Sequence, residues 1–106
     1  MEHVHTVLFE VPAEKAAEIA RYEGLLAELE GHKTRLQQMP GFLDMVVARS
    51  LNEEGPVQIV VHTKWQDPDS LGDYEETKPT ILDVVERFEG LVVPGSLQAY
   101  DMEVVI

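Results

Sequence analysis

Four stretches of the chain are rich in β-branched and aromatic residues whose positions alternate between two faces, and between these stretches the apolar residues recur every three or four positions. The first composition is typical of β-strands, whereas the longer period is typical of amphipathic helices. The first stretch stops at Pro12, which has no amide hydrogen for a sheet ladder. The pattern therefore predicts strands at residues 3–11, 42–51, 57–65 and 97–106.

The interval at residues 13–39 predicts a long amphipathic helix, with an apolar stripe that runs from Ile19 to Met39. Two glycines, Gly24 and Gly31, lie within it. A glycine inside a helix costs roughly 1 kcal/mol relative to alanine. We therefore expect a bend or a break near one of them.

Two shorter helices are predicted in the second half of the chain. Asp67 is suited to cap a helix whose first residue is Pro68, because proline lacks only an amide hydrogen that the first turn does not use. That helix extends to about Thr77. A second apolar stripe follows Pro79 and ends near Gly90.

The loop at residues 52–56 is rich in turn-forming residues and is too short for a parallel crossover. The strands on either side of it must therefore form an antiparallel hairpin. The resulting order, β-α-β-β-α-β, is that of the ferredoxin-like split βαβ arrangement. We predict one α+β domain over residues 1–106, with an antiparallel four-stranded sheet and helices on one face.

Strand parity assigns two different surfaces to the third strand. Ile59, Val61 and Trp65 share one face, while Val60 and His62 lie on the other. We expect the first face to meet the helices and any pocket. The second face would remain bare in a monomer, and apolar residues on a bare sheet predict an interface. The sequence thus predicts a homodimer that forms through the open sheet face.

Composition narrows the possible partners. Twenty acidic residues against eight basic ones give a formal charge of -12, which repels nucleic acid and anionic lipid. The absence of cysteine excludes disulfides, thiolate metal sites and cysteine nucleophiles. Neither a signal peptide nor a membrane-spanning run is evident, so we expect a cytoplasmic protein. No nucleotide-binding fingerprint is present, and no cofactor is expected.

Three short motifs carry a family resemblance. They are Pro-Gly-Phe at residues 40–42, the tryptophan Trp65 at the end of the hairpin, and Asp-Pro-Asp-Ser-Leu at residues 67–71 followed by Tyr74. Together they resemble the antibiotic biosynthesis monooxygenase family of the dimeric α/β-barrel superfamily, over nearly the whole chain. The resemblance implies a homodimer with a cleft between sheet and helices in each subunit. Family members include cofactor-independent monooxygenases of polycyclic phenols, quinol monooxygenases, haem-degrading oxygenases and proteins without established activity.

The resemblance carries over to only a few residues. Trp65 matches the strand-end tryptophan of the family, and Tyr74 stands where many relatives have a histidine. The haem-degrading branch requires a histidine near Val84, but no histidine follows His62, so haem would lack its proximal ligand. Val61 stands where the phenol-oxidising branch tends to have an asparagine.

These observations favour a cofactor-independent monooxygenase that acts on a small aromatic or polycyclic phenol or quinol. A histidine has a suitable intrinsic pKa for taking a phenolic proton, and tyrosine and tryptophan have polar groups on flat rings. The candidate site residues are the bases His62 and His5, the hydrogen-bond donor Tyr74, and the substrate walls Trp65, Val85 and Phe88. The alternative is a non-catalytic ligand-binding or stress-responsive dimeric barrel.

Each candidate also has a purely structural interpretation. Trp65 is equally typical of a core residue, and Tyr74 of a half-exposed one. His3, His5 and His62 would form a metal site if they met, although no carboxylate is evident to orient their rings, and we expect no metal. His32, on the long helix, is expected to be solvated or to cap the helix.

Overall fold

The computed structural model describes residues 1–52 and 54–106, with every side chain in them except that of Ile19. Glu53, in the predicted turn at residues 52–56, therefore lies outside the described part of the chain. The side chain of Ile19, at the start of the predicted apolar stripe, also lies outside it. The strands are β1 (His3–Val11), β2 (Phe42–Arg49), β3 (Val57–Trp65) and β4 (Gln98–Glu103).

The first and third strands have the bounds that alternation predicts, whereas β2 and β4 are shorter than expected. β4 ends at Glu103 because its register partner, His3, is the first residue of β1. Beyond that point one further backbone contact remains, from the Val104 N–H to the Glu2 carbonyl at 2.9 Å.

The helices are α1 (Ala13–Ala16), α2 (Ile19–Leu36), α3 (Pro68–Glu76) and α4 (Ile81–Glu86). The prediction of a break near Gly24 or Gly31 was wrong, because the interruption falls at residues 17–18 and α2 runs through both glycines. Burial of one leucine face against the sheet outweighs the helix propensity of the glycines.

The sheet has the order β2-β3-β1-β4, and every neighbouring pair is antiparallel. This confirms the α+β, ferredoxin-like architecture. Residues on the inner face of the central strands, such as Val7 and Val61, are buried in one core with residues of α2, α3 and α4. The predicted assignment of the inner face of β3 to the helices is therefore confirmed.

None of the helices in the described part of the chain covers the outer face of the sheet. Val46, Tyr100 and Met102 are 48%, 50% and 45% exposed there, although all three are large and apolar. In the described part of the chain, no helix is both long and apolar enough to cross a membrane.

Candidate functional site

The sequence brings Trp65 and the start of α3 together in one tight corner. Asp67 caps α3 by accepting a hydrogen bond from the Ser70 N–H at 2.8 Å, with Pro68 as the first helical residue. Gly41, at the start of β2, has a φ of +81°, and a Cβ added there would lie 2.0 Å from the Ser70 hydroxyl oxygen. The Pro-Gly-Phe turn therefore allows β2 to approach α3 closely beside the end of β3.

An aromatic cluster fills the space under this corner. Trp65 stacks on Tyr74 with ring centroids 5.1 Å apart and an interplanar angle of 26°, and Phe42 meets Trp65 edge-on at 5.4 Å. The indole N–H donates to the Thr63 hydroxyl at 3.0 Å. Trp65 is 0% and Tyr74 1% exposed, so both are core residues. The expectation that Tyr74 is half-exposed was wrong, since its ring fills the space between Trp65 and α2.

The Tyr74 hydroxyl is held by two groups. It accepts a hydrogen bond from the Ile81 N–H at 2.8 Å and lies 3.2 Å from Nε2 of His32. Arg35 Nη2 lies 3.0 Å from Nδ1 of the same imidazole. Because arginine only donates, Nδ1 must accept, and the neutral ring then donates through Nε2 to Tyr74. Burial raises the pKa of Tyr74 and outweighs the lowering effect of the Ile81 N–H, so the side chain remains a neutral phenol.

His32 is not the solvated or capping residue that we expected. Its side chain is buried, and its two ring nitrogens contact Tyr74 and Arg35. Burial lowers its pKa to about 4, with further contributions from the charges of Arg35 and Arg87. No local pattern in the sequence indicates this contact, because Tyr74 lies 42 residues further along the chain.

His5 lies on the same inner face, and its ring meets Tyr74 edge-on at 5.9 Å. Its Nδ1 lies 2.5 Å from Oδ1 of Asp101, its register partner on β4. Asp101 is thus a carboxylate that orients the His5 ring, which the sequence did not indicate. The pairing of β1 with β4 brings it beside His5. With Nδ1–H donating to Asp101, the lone pair of Nε2 is free.

The second nitrogen of His5 is not fully buried, although the residue as a whole is only 4% exposed. Among the described residues, every fully buried side-chain nitrogen or oxygen has a hydrogen-bond partner. The hydrogen bond described for the His5 ring is made by Nδ1. Glu75 stands close by, and burial together with the Asp101 carboxylate raises its pKa. His5, Glu75 and Asp101 each have one nitrogen or oxygen atom that could bind a metal, and these three atoms lie within 4.8 Å of one another.

The remaining histidines do not join this cluster. His62 is exposed on the outer face, where its Nδ1 lies 2.8 Å from the Thr6 hydroxyl. Nδ1 of His3 contacts the backbone carbonyl of Met1 at 3.1 Å. The three histidines that could have formed a metal site do not meet, because the antiparallel register sets His62 opposite Thr6 and not beside His5.

The predicted cleft beside Trp65 is closed. Val85 is buried in the core, and Phe88 is partly buried beyond the end of α4. A cavity of about 260 Å³ borders Val85, and another of about 390 Å³ lies between α2 and the β2–β3 hairpin. Neither is lined by Trp65 or Tyr74.

A family model described as antibiotic biosynthesis monooxygenase matches residues 3–87, which include every candidate residue predicted from the sequence except Phe88. Asp101 and β4 lie beyond the match. No curated protein matches the chain significantly.

Solved structures share the fold. SnoaB from Streptomyces nogalater, a cofactor-independent oxygenase, is 15% identical, with 100% of this chain and 96% of that chain covered and a TM-score of 0.63. Rv0793 from Mycobacterium tuberculosis is 13% identical, with coverages of 100% and 97% and a TM-score of 0.70. A dimeric ferredoxin-like protein of unknown function from Jannaschia sp. CCS1 is 21% identical, with coverages of 98% and 100% and a TM-score of 0.64. At these identities the likeness establishes the fold alone.

Proposed function

Because the chain belongs to the antibiotic biosynthesis monooxygenase family, we propose that it is a cofactor-independent monooxygenase that acts on a small aromatic or polycyclic phenol or quinol. The observation that carries this proposal is the His5–Asp101 pair, 2.5 Å apart, beside the Tyr74–Trp65 stack. It combines an oriented imidazole with an aromatic surface. A base and a flat apolar wall are the two things that such a reaction requires of a protein.

The chemistry uses dioxygen as the only oxidant. A base takes the phenolic proton, and the electron-rich phenolate transfers electrons to dioxygen. A carbon–oxygen bond forms at a ring carbon to give a peroxide, which loses water as the ring C–H becomes C=O. Phenol and dioxygen thus give quinone and water, with one oxygen atom in each product and the proton returned from the base.

We assign the role of base to His5, and not to His62, because His62 lies on the outer face, whereas His5 lies on the inner face and its ring contacts Tyr74. Asp101 fixes the ring orientation and would share the positive charge once Nε2 has taken a proton. Glu75 lies beside Asp101 and, with its raised pKa, is suited to hold a proton near the pair. In this scheme His5 is the catalytic residue and Asp101 positions it.

Tyr74 indicates how a phenol would fit. Its own phenol ring stacks on Trp65 and lies edge-on to His5, with its oxygen held by the Ile81 N–H and His32. The helix that carries it, α3, buries only Leu71 and Tyr74. An element with so little buried surface is among the first to open locally. We propose that α3 moves to admit the substrate ring beside Trp65, with Val85 and Phe88 as the far wall and the freed Tyr74 hydroxyl as a donor.

The test is oxygen consumption with a panel of phenols, naphthols and anthrones. Loss of a general base typically costs 10²- to 10⁴-fold, so we expect His5→Ala to lower kcat/KM by at least about 100-fold. Asp101→Asn should lower it less and shift the pH profile. His3→Ala, on the same strand and face as His5, and Asp73→Asn, on the exposed side of α3, are the matched controls. Full turnover by His5→Ala would remove the assignment, and His62→Ala tests the other base directly.

We further propose that the protein acts as a homodimer through its outer sheet face. An apolar depression on that face is lined by Val46, Met102 and the half-buried Val4, and His62 also borders it. Apolar side chains concentrated on an uncovered sheet are typical of an interface. The relative from Jannaschia, with the same fold, is described as dimeric.

The alternative function, a non-catalytic ligand-binding or stress-responsive protein, has one observation in its favour. The cluster is sealed, with Trp65 and Tyr74 fully buried and their polar atoms hydrogen-bonded. This alternative predicts that phenols bind without any oxygen uptake. Trp65 is the only tryptophan, so its fluorescence reports binding at this site specifically. Saturable quenching in the absence of turnover, across the whole panel, would favour the alternative.

A further inference from the structure

The cavity between α2 and β2 has a continuous apolar lining. Its volume is about 390 Å³, within the range of pockets that hold small organic molecules. Helix and sheet contribute to it from opposite sides, and β2 is an edge strand, so the cavity opens at the side of the molecule. The apolar lining residues are Leu26, Leu29, Met45, Val47, Ala48 and Ile59.

One lining residue shows that this apolar surface is incompletely covered. Val47 pairs in register with Val61 and so belongs to the inner face of the sheet. Val61 is 0% exposed, whereas Val47, which borders the cavity, is 38% exposed. Filling the cavity with an apolar molecule would remove this surface from water.

The rim of the cavity carries a guanidinium that no acidic residue of the described chain engages. Two basic residues, Arg49 and Lys33, line the cavity together with one acid, Glu30. Lys33 is already paired, because its Nζ lies 3.9 Å from Oδ1 of Asp44. The described contact of the Arg49 guanidinium is a long one, 3.4 Å from Nη1 to the Tyr22 hydroxyl, so that among the described residues most of its five N–H donors have no partner. A guanidinium presents two parallel donors that match the two oxygens of a carboxylate.

We propose that this cavity binds a small apolar carboxylic acid, with the hydrocarbon part between α2 and β2 and the carboxylate on Arg49. The site is separate from the Trp65–Tyr74–His5 cluster, and the inference stands whether or not that cluster is catalytic. The chemical class follows from the lining, which is aliphatic, and from the rim, which offers donors and positive charge. A neutral molecule of the same shape would gain only the apolar part of the interaction.

The test compares octanoate with octanamide, its neutral counterpart, by calorimetry and by amide shifts in the ¹⁵N spectrum. We expect octanoate to bind at least tenfold more tightly, with the shifts concentrated on residues 26–33 and 45–49. Arg49→Gln should remove the preference for octanoate while leaving the weaker binding of octanamide unchanged. Lys15→Gln, which removes an equal charge from an exposed position on α1, should change neither affinity.

Four outcomes would overturn the proposal. They are absence of octanoate binding, equal affinity for the two probes, a preference that persists in Arg49→Gln, and shifts that map elsewhere on the protein. Arg49→Lys guards against a folding artefact, since it retains the charge without the paired donors and should show an intermediate preference.

Discussion

Single residues in the aromatic cluster illustrate how burial sets chemistry. Tyr74 and His32 are both titratable, yet burial favours the neutral form of each: it raises the pKa of the phenol and lowers that of the imidazole. The positive charge of Arg35 lowers the pKa of His32 further, and its N–H determines which nitrogen of that ring accepts. The pair therefore forms a neutral hydrogen bond inside the core, and not an ion pair.

Removal of the Tyr74 hydroxyl should be costly although the ring remains. Tyr74→Phe leaves the buried Ile81 N–H without its acceptor at 2.8 Å, and a buried donor left unpaired costs about 1–3 kcal/mol. We expect that loss in the free energy of unfolding, measured by urea denaturation. Tyr100→Phe is the control, because its hydroxyl contacts only Gln98 on the exposed β4 and its loss should cost less than about 0.5 kcal/mol. Equal losses in the two variants would contradict the burial argument.

His32 should make the protein less stable in mild acid. The unfolded chain takes up a proton on this residue below pH 6.5, whereas the folded protein does so only near pH 4. Stability is therefore lost as the pH falls from about 6.5 to 4, by about 3 kcal/mol in total. In His32→Gln this part of the pH dependence should vanish. Arg35→Gln should reduce it, because one of the charges that lower the pKa is removed. Parallel stability curves for the wild type and His32→Gln would refute the effect.

At the scale of elements, short helices depend on their ends. α4 has only six residues, yet Ile81, Val84 and Val85 are all buried. Its start is a capping box: the Thr80 hydroxyl accepts from the Asp83 N–H, and the Asp83 carboxylate accepts from the Thr80 N–H. A helix this short is unstable in isolation, so the cap and the core contacts stabilise it jointly.

Thr80→Ala removes half of this box and should lower the free energy of unfolding by about 1 kcal/mol. The matched control is Thr77→Ala, because the Thr77 hydroxyl only donates to the carbonyl of Asp73 on an exposed surface. Chemical denaturation of both variants provides the comparison. Identical midpoints would mean that packing alone holds α4 in place.

At the scale of the whole molecule, the two faces of the sheet have different environments. One is covered by helices, and the other exposes Val46, Tyr100 and Met102. We expect a mass of about 24 kDa by light scattering, twice that of the 11.9 kDa chain. Val46→Glu and Met102→Glu each place a charge on the outer face and should give monomers. Leu51 lies beyond the end of β2 and is 94% exposed, so the Leu51→Glu variant should remain dimeric. A monomeric wild-type protein would exclude the dimer.

The sequence alone determined the elements and their faces. Alternation placed β1 and β3 with correct bounds, the Asp-Pro pair started α3, and parity separated Trp65 from His62. These are local properties: a period of two or of 3.6 residues and a cap depend only on near neighbours in the chain. The resemblance added the family, which the match over residues 3–87 bears out.

Only the tertiary structure decided which residues meet. Asp101 joins His5 across 96 positions and His32 joins Tyr74 across 42, and both contacts depend on strand order and helix packing that no short segment encodes. The same packing closed the predicted cleft over Trp65 and left a different cavity open beside β2. Periodicity gives the direction of a side chain, but its burial, its hydrogen-bond partners and its pKa depend on residues that are distant in sequence.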